Sequence, residues 1–231
     1  MADDVRFRLA LALDVDDLDD ARRMAGSLAP WIGVAKVGLE LYAAAGPSAV
    51  TALRDDGFRV FLDAKLHDIP TTVGRAARVL GRLGVAYLNM HAAGGQAMLA
   101  AGVEGLAAGA AEAGVDRPVP IAVTVLTSDP DASEFERRLR VAIASACGGV
   151  VCSVREIARV HQAAPGFVTI VPGVRLAGSD DDDQARIGRP ADVAAAGADL
   201  LVVGRTVTAA ARPEDAARRL YEEVGAAIAS T

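Results

Sequence analysis

Short apolar runs alternate with longer amphipathic segments along the chain. The short runs have strand length and consist mostly of Val, Leu, Ile and Ala; they occupy residues 7–13, 33–37, 59–62, 86–90, 119–125, 149–152, 168–171 and 200–203. The longer segments repeat apolar residues at helical spacing; they occupy residues 17–28, 48–55, 71–83, 96–113, 133–146, 154–163, 190–196 and 213–227. A strand followed by a helix, eight times over, predicts an α/β fold of the (β/α)8 TIM-barrel type.

A doubly wound open sheet also alternates strands and helices, so it is the structural alternative. Its usual nucleotide signature, G-x-G-x-x-G after the first strand, is missing here, because Leu13 is followed by Asp14-Val15-Asp16. No linker rich in Ser, Gly or Pro divides the chain, and the one biased tract is 180–183. We therefore expect a single barrel domain over residues 1–231.

Composition narrows the possible partners. Hydrophobic residues make up 52% and aromatic residues 4% of the 231 positions, which suits helices packed tightly over a buried parallel sheet. A net charge of −6 without a Lys/Arg cluster disfavours a nucleic-acid-binding face. No apolar run reaches the roughly 18 residues of a membrane span, and the N-terminus lacks a secretory pattern. We expect a cytoplasmic protein in which Cys147 and Cys152 are buried, reduced thiols.

One short segment concentrates reactive side chains at the end of an apolar run. It reads Asp63-Ala64-Lys65-Leu66-His67-Asp68-Ile69-Pro70. Alternate side chains of a strand share a face, so Asp63 and Lys65 are expected to project together, with Asp68 following in the turn. A surface ion pair that caps a strand is the simpler interpretation of such a short motif.

Polar residues follow other predicted strands at the same end, where barrel enzymes place their catalytic groups. Asp14 ends the first strand, Lys36 the second, and Asn89 and His91 the fourth. Lys36 lies among apolar residues and would be costly to bury without an anionic partner; Asp14, Asp63 and Asp68 are the candidates for this partner. Alternating acids and amines would keep the lysines protonated, stabilise a carbanion and deliver a proton. Alternatively, the charges form a structural ion network, Asp14 or Asp16 caps the next helix, and His91 is a core-edge histidine.

The last two strands are followed by a candidate anion site. Barrels commonly bind phosphate with backbone N–H groups at these loops, which here read Pro172-Gly173-Val174-Arg175 and Val203-Gly204-Arg205. Arg205 supplies a guanidinium fork for phosphate oxygens. Gln184, in the loop between them, is a neutral donor that could close over the phosphate, with the preceding aspartates on the solvated outer face.

Taken together, these motifs resemble the orotidine 5′-phosphate decarboxylase family in its shorter bacterial form. The resemblance spans nearly the whole chain and rests on the segments 11–14, 36–38, 63–70, 89–95, 126–128, 172–175, 183–186 and 203–205. It implies conversion of orotidine 5′-phosphate to UMP, the last step of de novo pyrimidine synthesis, without a metal or an organic cofactor.

The resemblance also implies catalytic roles. Lys65 would donate the proton to C6 of the pyrimidine, and Asp63 would lie against the substrate carboxylate. Lys36 would link the acids to a ribose hydroxyl. Family enzymes are homodimers, so Asp68, with Thr72 beside it, is expected to enter the site of the neighbouring subunit.

The implied substrate-binding residues each contact one part of the nucleotide. The resemblance makes Asp14 a ribose ligand and Thr127 a pyrimidine contact. It makes Gln184, Gly204 and Arg205 phosphate ligands, with Arg175 in the same loop region.

Two rival functions remain open from sequence. Sugar-phosphate decarboxylases and hexulose-phosphate synthases of the same superfamily share the D-x-K-x-x-D run, but they use Mg2+ and place an acidic ligand near the position of Lys36. A lysine there removes a ligand and adds repulsion. The other rival is a non-catalytic barrel that senses or binds a phosphate ligand; it would not need the proton donor that Asp63, Lys65 and Asp68 surround.

Overall fold

The structure is a closed barrel of eight parallel strands. It is a computed structural model that describes residues 4–126, 132–176 and 188–230. The strands pair in sequence order and the last closes on the first. They are β1 (Leu9–Leu13), β2 (Val34–Val37), β3 (Arg59–Leu66), β4 (Tyr87–His91), β5 (Val119–Val123), β6 (Gly149–Val151), β7 (Val168–Val171) and β8 (Leu200–Val203). The predicted TIM-barrel fold is confirmed.

Helices surround the barrel and cover its strands. Those in the described residues are α1 (Leu18–Leu28), α2 (Leu39–Ala45), α3 (Pro47–Asp55), α4 (Pro70–Gly81), α5 (Gly95–Ala113), α6 (Phe135–Ala144), α7 (Ile157–Ala163), α8 (Pro190–Ala195), α9 (Arg205–Thr208) and α10 (Pro213–Ala229). Several begin with a recognisable signal: Asp17 caps α1 through its side chain, and α3, α4, α8 and α10 each begin with proline. None of these helices is long and apolar enough to cross a membrane.

The barrel interior is a packed apolar layer, separate from the larger core between strands and helices. Its buried members include Ala10, Phe61, Ile121 and Leu200. Strands that are buried on both faces need nearly continuous apolar sequence, which explains the runs of Val, Leu, Ile and Ala. This filling leaves the ends of the barrel as the places for polar chemistry.

Aromatic and arginine side chains close the end at which the strands begin. Phe61 and Tyr87 meet edge to face with ring centroids 6.1 Å apart. The guanidinium of Arg59 lies 4.2 Å from the centroid of the Phe7 ring. The strands end at the opposite mouth, where Asp14, Lys65 and His91 lie.

The predicted strands are all present, although some ends differ. Residues 5–8 form a 3-10 turn, so the first strand begins at Leu9 instead of Phe7. The third strand continues past Leu62 to Leu66, through an irregularity described below. The short helices α2 and α9 were not predicted, because one or two turns of helix carry little periodic signal. That residues 1–231 form a single domain stays a prediction.

Helices α4 and α5 approach each other at backbone distance. A Cβ added to Gly105 would collide with the carbonyl oxygen of Gly74, and one added to Gly109 would collide with that of Arg78. Only glycine at these α5 positions permits the contact. The two helices are therefore held at a short, fixed distance from each other.

Replacing Gly105 by alanine should destabilise the fold. Its new methyl group would push α4 away from α5 and lower the free energy of unfolding by about 1–3 kcal/mol, measured by urea denaturation. Gly26→Ala is the control, because Gly26 is an exposed helical residue in α1 with no atom within 4 Å of an added Cβ. That variant should be more stable by about 0.4–1 kcal/mol. Similar effects of the two substitutions would contradict the close contact.

Candidate active site

Four charged side chains meet where β1, β2 and β3 end. Lys36 Nζ lies 3.3 Å from Asp14 Oδ1 and 3.4 Å from Asp63 Oδ2. Lys65 Nζ lies 2.6 Å from Asp63 Oδ1. The result is an alternating row, Asp14, Lys36, Asp63 and Lys65, in which Asp63 stands between two ammonium groups.

Strand pairing explains why the row forms. Lys36 pairs with Ala12 on β1 and with Phe61 on β3, so its neighbours two residues further along are Asp14 and Asp63. Parallel strands carry residues of equal register to the same level of the barrel. Asp14 and Asp63, which are 22 and 27 positions from Lys36 in sequence, thereby come into contact with it.

Solvent exposure falls from the edge of the row to its centre. The exposed fractions of the side chains are 62% for Asp14, 33% for Lys65, 13% for Asp63 and 11% for Lys36. Burial alone would raise the pKa of Asp63, but the Lys36 and Lys65 charges and hydrogen bonds from Lys65 and Asn89 outweigh it, so that pKa is lowered. Asp63 is therefore ionised near neutral pH.

A bulge in β3 brings Asp63 and Lys65 to this mouth. Leu62 pairs with Leu88 and Leu66 with Met90, so three residues of β3 stand opposite one residue of β4. Lys65 has a φ of +48°, in the left-handed region that side chains rarely adopt. The predicted approach of Asp63 and Lys65 is present, but it arises from this bulge instead of regular strand alternation.

Asn89 is the β4 residue that fills the bulge. It is 1% exposed. Its Nδ2 donates to Asp63 Oδ1 at 2.6 Å, and its Oδ1 accepts from the backbone N–H of Lys65 at 2.7 Å. Sequence alone assigns this residue no role, and its polar character at a strand end is the only signal.

Gly38 is a second residue of this site to which the sequence alone assigns no role. A Cβ at Gly38 would lie 3.2 Å from both Asp14 Oδ1 and Lys36 Nζ. That distance is tighter than ordinary van der Waals contact, so a side chain there would press on the ion pair. Glycine leaves the Asp14–Lys36 contact undisturbed.

Asp68 and Thr72 lie outside the charged row. Both residues are exposed, and Asp68 Oδ1 accepts from the backbone N–H of Ile69 at 2.6 Å. Among the described residues, no lysine lies within ion-pair distance of Asp68, so of the three acids considered as partners for Lys36 only Asp14 and Asp63 contact it. Ile69 next to it has 65% of its surface exposed.

Two histidines stack on the rim beside the row. The rings of His67 and His91 have centroids 5.4 Å apart and are tilted by 40°. Burial, with help from the charges of His67 and Lys65, lowers the pKa of His91. Neutral His91 fits the interpretation of a core-edge histidine.

The candidate phosphate residues lie after two neighbouring strands. Strands β7 and β8 pair through Val171 and Leu201, and α9 begins at Arg205 with Gly204 as its N-cap. The backbone N–H of Leu176, next to Arg175, donates to Thr206 Oγ1 at 3.1 Å and ties the two loops together. Strand β8 also pairs with β1, which places Gly204 near the end of the strand that leads to Asp14. Thr127 and Gln184 lie outside the described residues.

The chain contains few lysines and few cysteines. The sequence contains two lysines among 24 basic residues, and both belong to the charged row. Cys147 and Cys152 are buried and unbonded, as predicted. Burial raises the pKa of the Cys147 thiol to about 12, so it is not a nucleophile at neutral pH.

Comparison with known proteins identifies the family of this chain. The profile of the orotidine 5′-phosphate decarboxylase / HUMPS family matches residues 8–220. Orotidine 5′-phosphate decarboxylase of Moorella thermoacetica is 46% identical, with 94% of this chain and 92% of the relative covered. That of Anaeromyxobacter sp. (strain K) is 44% identical, with 92% and 96% covered. The crystal structure of the Lactobacillus acidophilus enzyme superposes with a TM-score of 0.81 at 32% identity, covering 94% of this chain and 98% of the other. This chain belongs to the orotidine 5′-phosphate decarboxylase / HUMPS family of enzymes.

Proposed function

We propose that this protein decarboxylates orotidine 5′-phosphate to UMP in de novo pyrimidine biosynthesis, in the cytoplasm and without a metal or an organic cofactor. The observation that carries the proposal is the position of Asp63, whose carboxylate contacts both Lys36 and Lys65 at the end of the barrel where the strands end. Relatives that carry the decarboxylase name cover nearly the whole chain and support the choice of substrate.

The proposed chemistry is a direct loss of CO2. The bond between C6 and its carboxylate breaks, the electron pair stays on C6, and Lys65 Nζ transfers a proton to that carbon. No cofactor delocalises the negative charge, so the site must lower the barrier electrostatically, by something on the order of 20 kcal/mol. The fixed ammonium of Lys65 supplies both the stabilising charge and the proton.

Asp63 has a second proposed part in the reaction. It would lie against the substrate carboxylate, and the repulsion between the two anions would be relieved as CO2 departs. Lys36 limits the cost of keeping Asp63 charged, because its ammonium holds the other carboxylate oxygen at 3.4 Å. Lys36 would also reach a ribose hydroxyl.

The rest of the nucleotide would extend along the mouth towards β7 and β8. Asp14 would bind the ribose and Thr127 the pyrimidine. The phosphate would contact Gln184, Gly204 and Arg205, with Arg175 close by. Binding energy from the phosphate would then contribute to the transition state at a distant carbon.

The Mg2+-dependent sugar-phosphate reaction fits this site less well. The ammonium of Lys36 lies between the carboxylates of Asp14 and Asp63, within 3.4 Å of each. A divalent cation needs oxygen ligands at this point and would be repelled by two lysines. The charged row thus favours metal-free chemistry.

A homodimer is part of the proposal. Asp68 and Thr72 are exposed, and Asp68 pairs with neither lysine of its own subunit, which leaves both residues available to a neighbour. Large apolar side chains are also exposed at the starts of two helices: Ile69, which precedes α4, is 65% exposed and Leu39, which begins α2, is 59% exposed. Burial of such residues would stabilise an interface that carries Asp68 into the other site.

The first test is turnover of orotidine 5′-phosphate in excess EDTA, followed by the change in absorbance. Wild-type protein should be fully active, whereas loss of activity in EDTA would support the Mg2+-dependent rival.

Lys65→Ala should lower kcat by at least about 10⁴-fold, because the proton donor and its charge are both removed. UMP should still bind this variant weakly, which calorimetry would show. Near-wild-type turnover of Lys65→Ala would remove Lys65 from its role.

A second test concerns the phosphate. Arg205→Ala should weaken UMP binding and raise KM by about 10–150-fold, the loss expected for hydrogen bonds to a charged group. Arg212→Ala is the matched control, since Arg212 is 80% exposed and pairs with Asp215 on the surface; it should bind UMP normally. Equal affinity of the two variants would refute the assignment of Arg205.

Hybrid dimers test the shared site. Subunits with Lys65→Ala and subunits with Asp68→Asn, each nearly inactive alone, would be co-expressed with different tags and purified as mixed dimers. If Asp68 acts across the interface, one site of each mixed dimer has both wild-type residues, and about half of the wild-type activity returns. If Asp68 acts within its own subunit, every site keeps one lesion and the mixed dimer stays inactive.

A further inference from the structure

The bulge in β3 leaves backbone groups of this strand without their regular partners on β4. From Leu62 to Leu66 the strand advances four residues, while its partner advances two, from Leu88 to Met90. The three residues between lose regular ladder partners, and buried backbone donors must be satisfied in another way. Both proposed reacting side chains, Asp63 and Lys65, belong to these three residues.

The side chain of Asn89 satisfies two of the groups displaced by the bulge. Its Oδ1 accepts from the Lys65 backbone N–H at 2.7 Å, and its Nδ2 donates to Asp63 Oδ1 at 2.6 Å. The backbone N–H can only donate and the ionised carboxylate can only accept, so these partners determine which end of the amide is oxygen. With 1% of its surface exposed, Asn89 makes both bonds without competition from water.

Asn89 therefore acts on the conformation and on the charge of the reacting pair at once. The bond to its Oδ1 holds residue 65 in the left-handed conformation, at φ +48°, that directs Lys65 Nζ to Asp63. The bond from its Nδ2 is one of the interactions that favour the carboxylate form of Asp63. No other uncharged side chain among the described residues bonds to both members of the pair.

We propose that Asn89 is a positioning residue for the decarboxylation, acting through Asp63 and Lys65 without touching the substrate. This inference rests on the proposed function. It differs from a purely structural role, in which Asn89 only satisfies buried polar groups. A structural role affects stability alone, whereas a positioning role lowers kcat in protein that is folded and still binds nucleotide.

The test compares Asn89→Leu with Thr169→Val. Thr169 is a matched control: it is 0% exposed on β7, and its Oγ1 bonds to Asp199 Oδ2 at 2.9 Å, outside the charged row. Asn89→Leu should lower kcat by about 10²-fold with little change in KM or UMP affinity, as expected for misplaced reacting groups. Thr169→Val should lose stability and keep its kcat. Wild-type kcat in folded Asn89→Leu protein would overturn the proposal.

The substitution Asn89→Asp separates the effects of the two hydrogen bonds made by the amide. The new carboxylate can still accept from the Lys65 N–H, but it faces Asp63 as a second anion; once protonated, it can donate as the amide does. Its deficit in kcat relative to wild type should therefore shrink as the pH is lowered from 8 towards 5. The charged or titratable groups around Asp63 and position 89 are Lys65, Lys36 and Asp14, with His91, His67 and Arg138 beyond them, and these are common to both proteins. A deficit that does not vary with pH would count against the proposal, and this variant decides the matter if Asn89→Leu does not fold.

A readout independent of turnover distinguishes this inference from the proposed function. In a titration followed by the 13C signal of the Asp63 carboxyl carbon, the pKa should be higher in Asn89→Leu than in wild type, since one hydrogen bond to the carboxylate is lost. An unchanged pKa would overturn the part of the inference in which Asn89 favours the carboxylate form of Asp63. If wild-type protein failed to decarboxylate orotidine 5′-phosphate, the proposed function would fall, and this titration would still show whether Asn89 controls Asp63.

Discussion

The site depends on one buried carboxylate held between two ammonium groups. Asp63 would be costly to bury alone, and so would Lys36, but each compensates the other, and Lys65 adds a second positive charge at the edge. Removing any one member would leave an unbalanced charge in a region of low dielectric constant. This mutual dependence keeps Asp63 ionised and both lysines directed to one point, as the proposed carbanion would require.

The barrel supplies this cluster from distant parts of the chain. Strands β1 to β3 bring three separate segments to the same level, and β4 adds the amide of Asn89 behind them. Strands β7 and β8 place the candidate phosphate loops on the other side of β1. The packed interior and the aromatic closure at the opposite end make the scaffold rigid, so small displacements of the charged groups are resisted.

The sequence predicted the barrel because short apolar runs of strand length alternate eight times with longer segments, most of which repeat apolar residues at helical spacing. It also identified Asp14, Lys36, Asp63 and Lys65, since polar residues at the ends of apolar runs are conspicuous. The bulge escaped prediction, because strand register depends on partners that a single segment does not contain. For the same reason, sequence did not show that Asn89 contacts both Asp63 and Lys65, or that Asp68 stays outside the row.

The confinement of lysine to the charged row has a chemical consequence. Lys36 and Lys65 are the two lysines of this chain, and the other side chains among its 24 Lys and Arg residues are arginines, whose guanidinium groups stay protonated and resist acylation at neutral pH. A mild acylating reagent would therefore find only these two side-chain amines and the chain terminus, and the greater exposure of Lys65 would make it react before Lys36. Amide attachment of this protein to a surface through Lys65 would occupy the mouth that carries the charged row, whereas attachment through the amino terminus would leave both lysines unmodified.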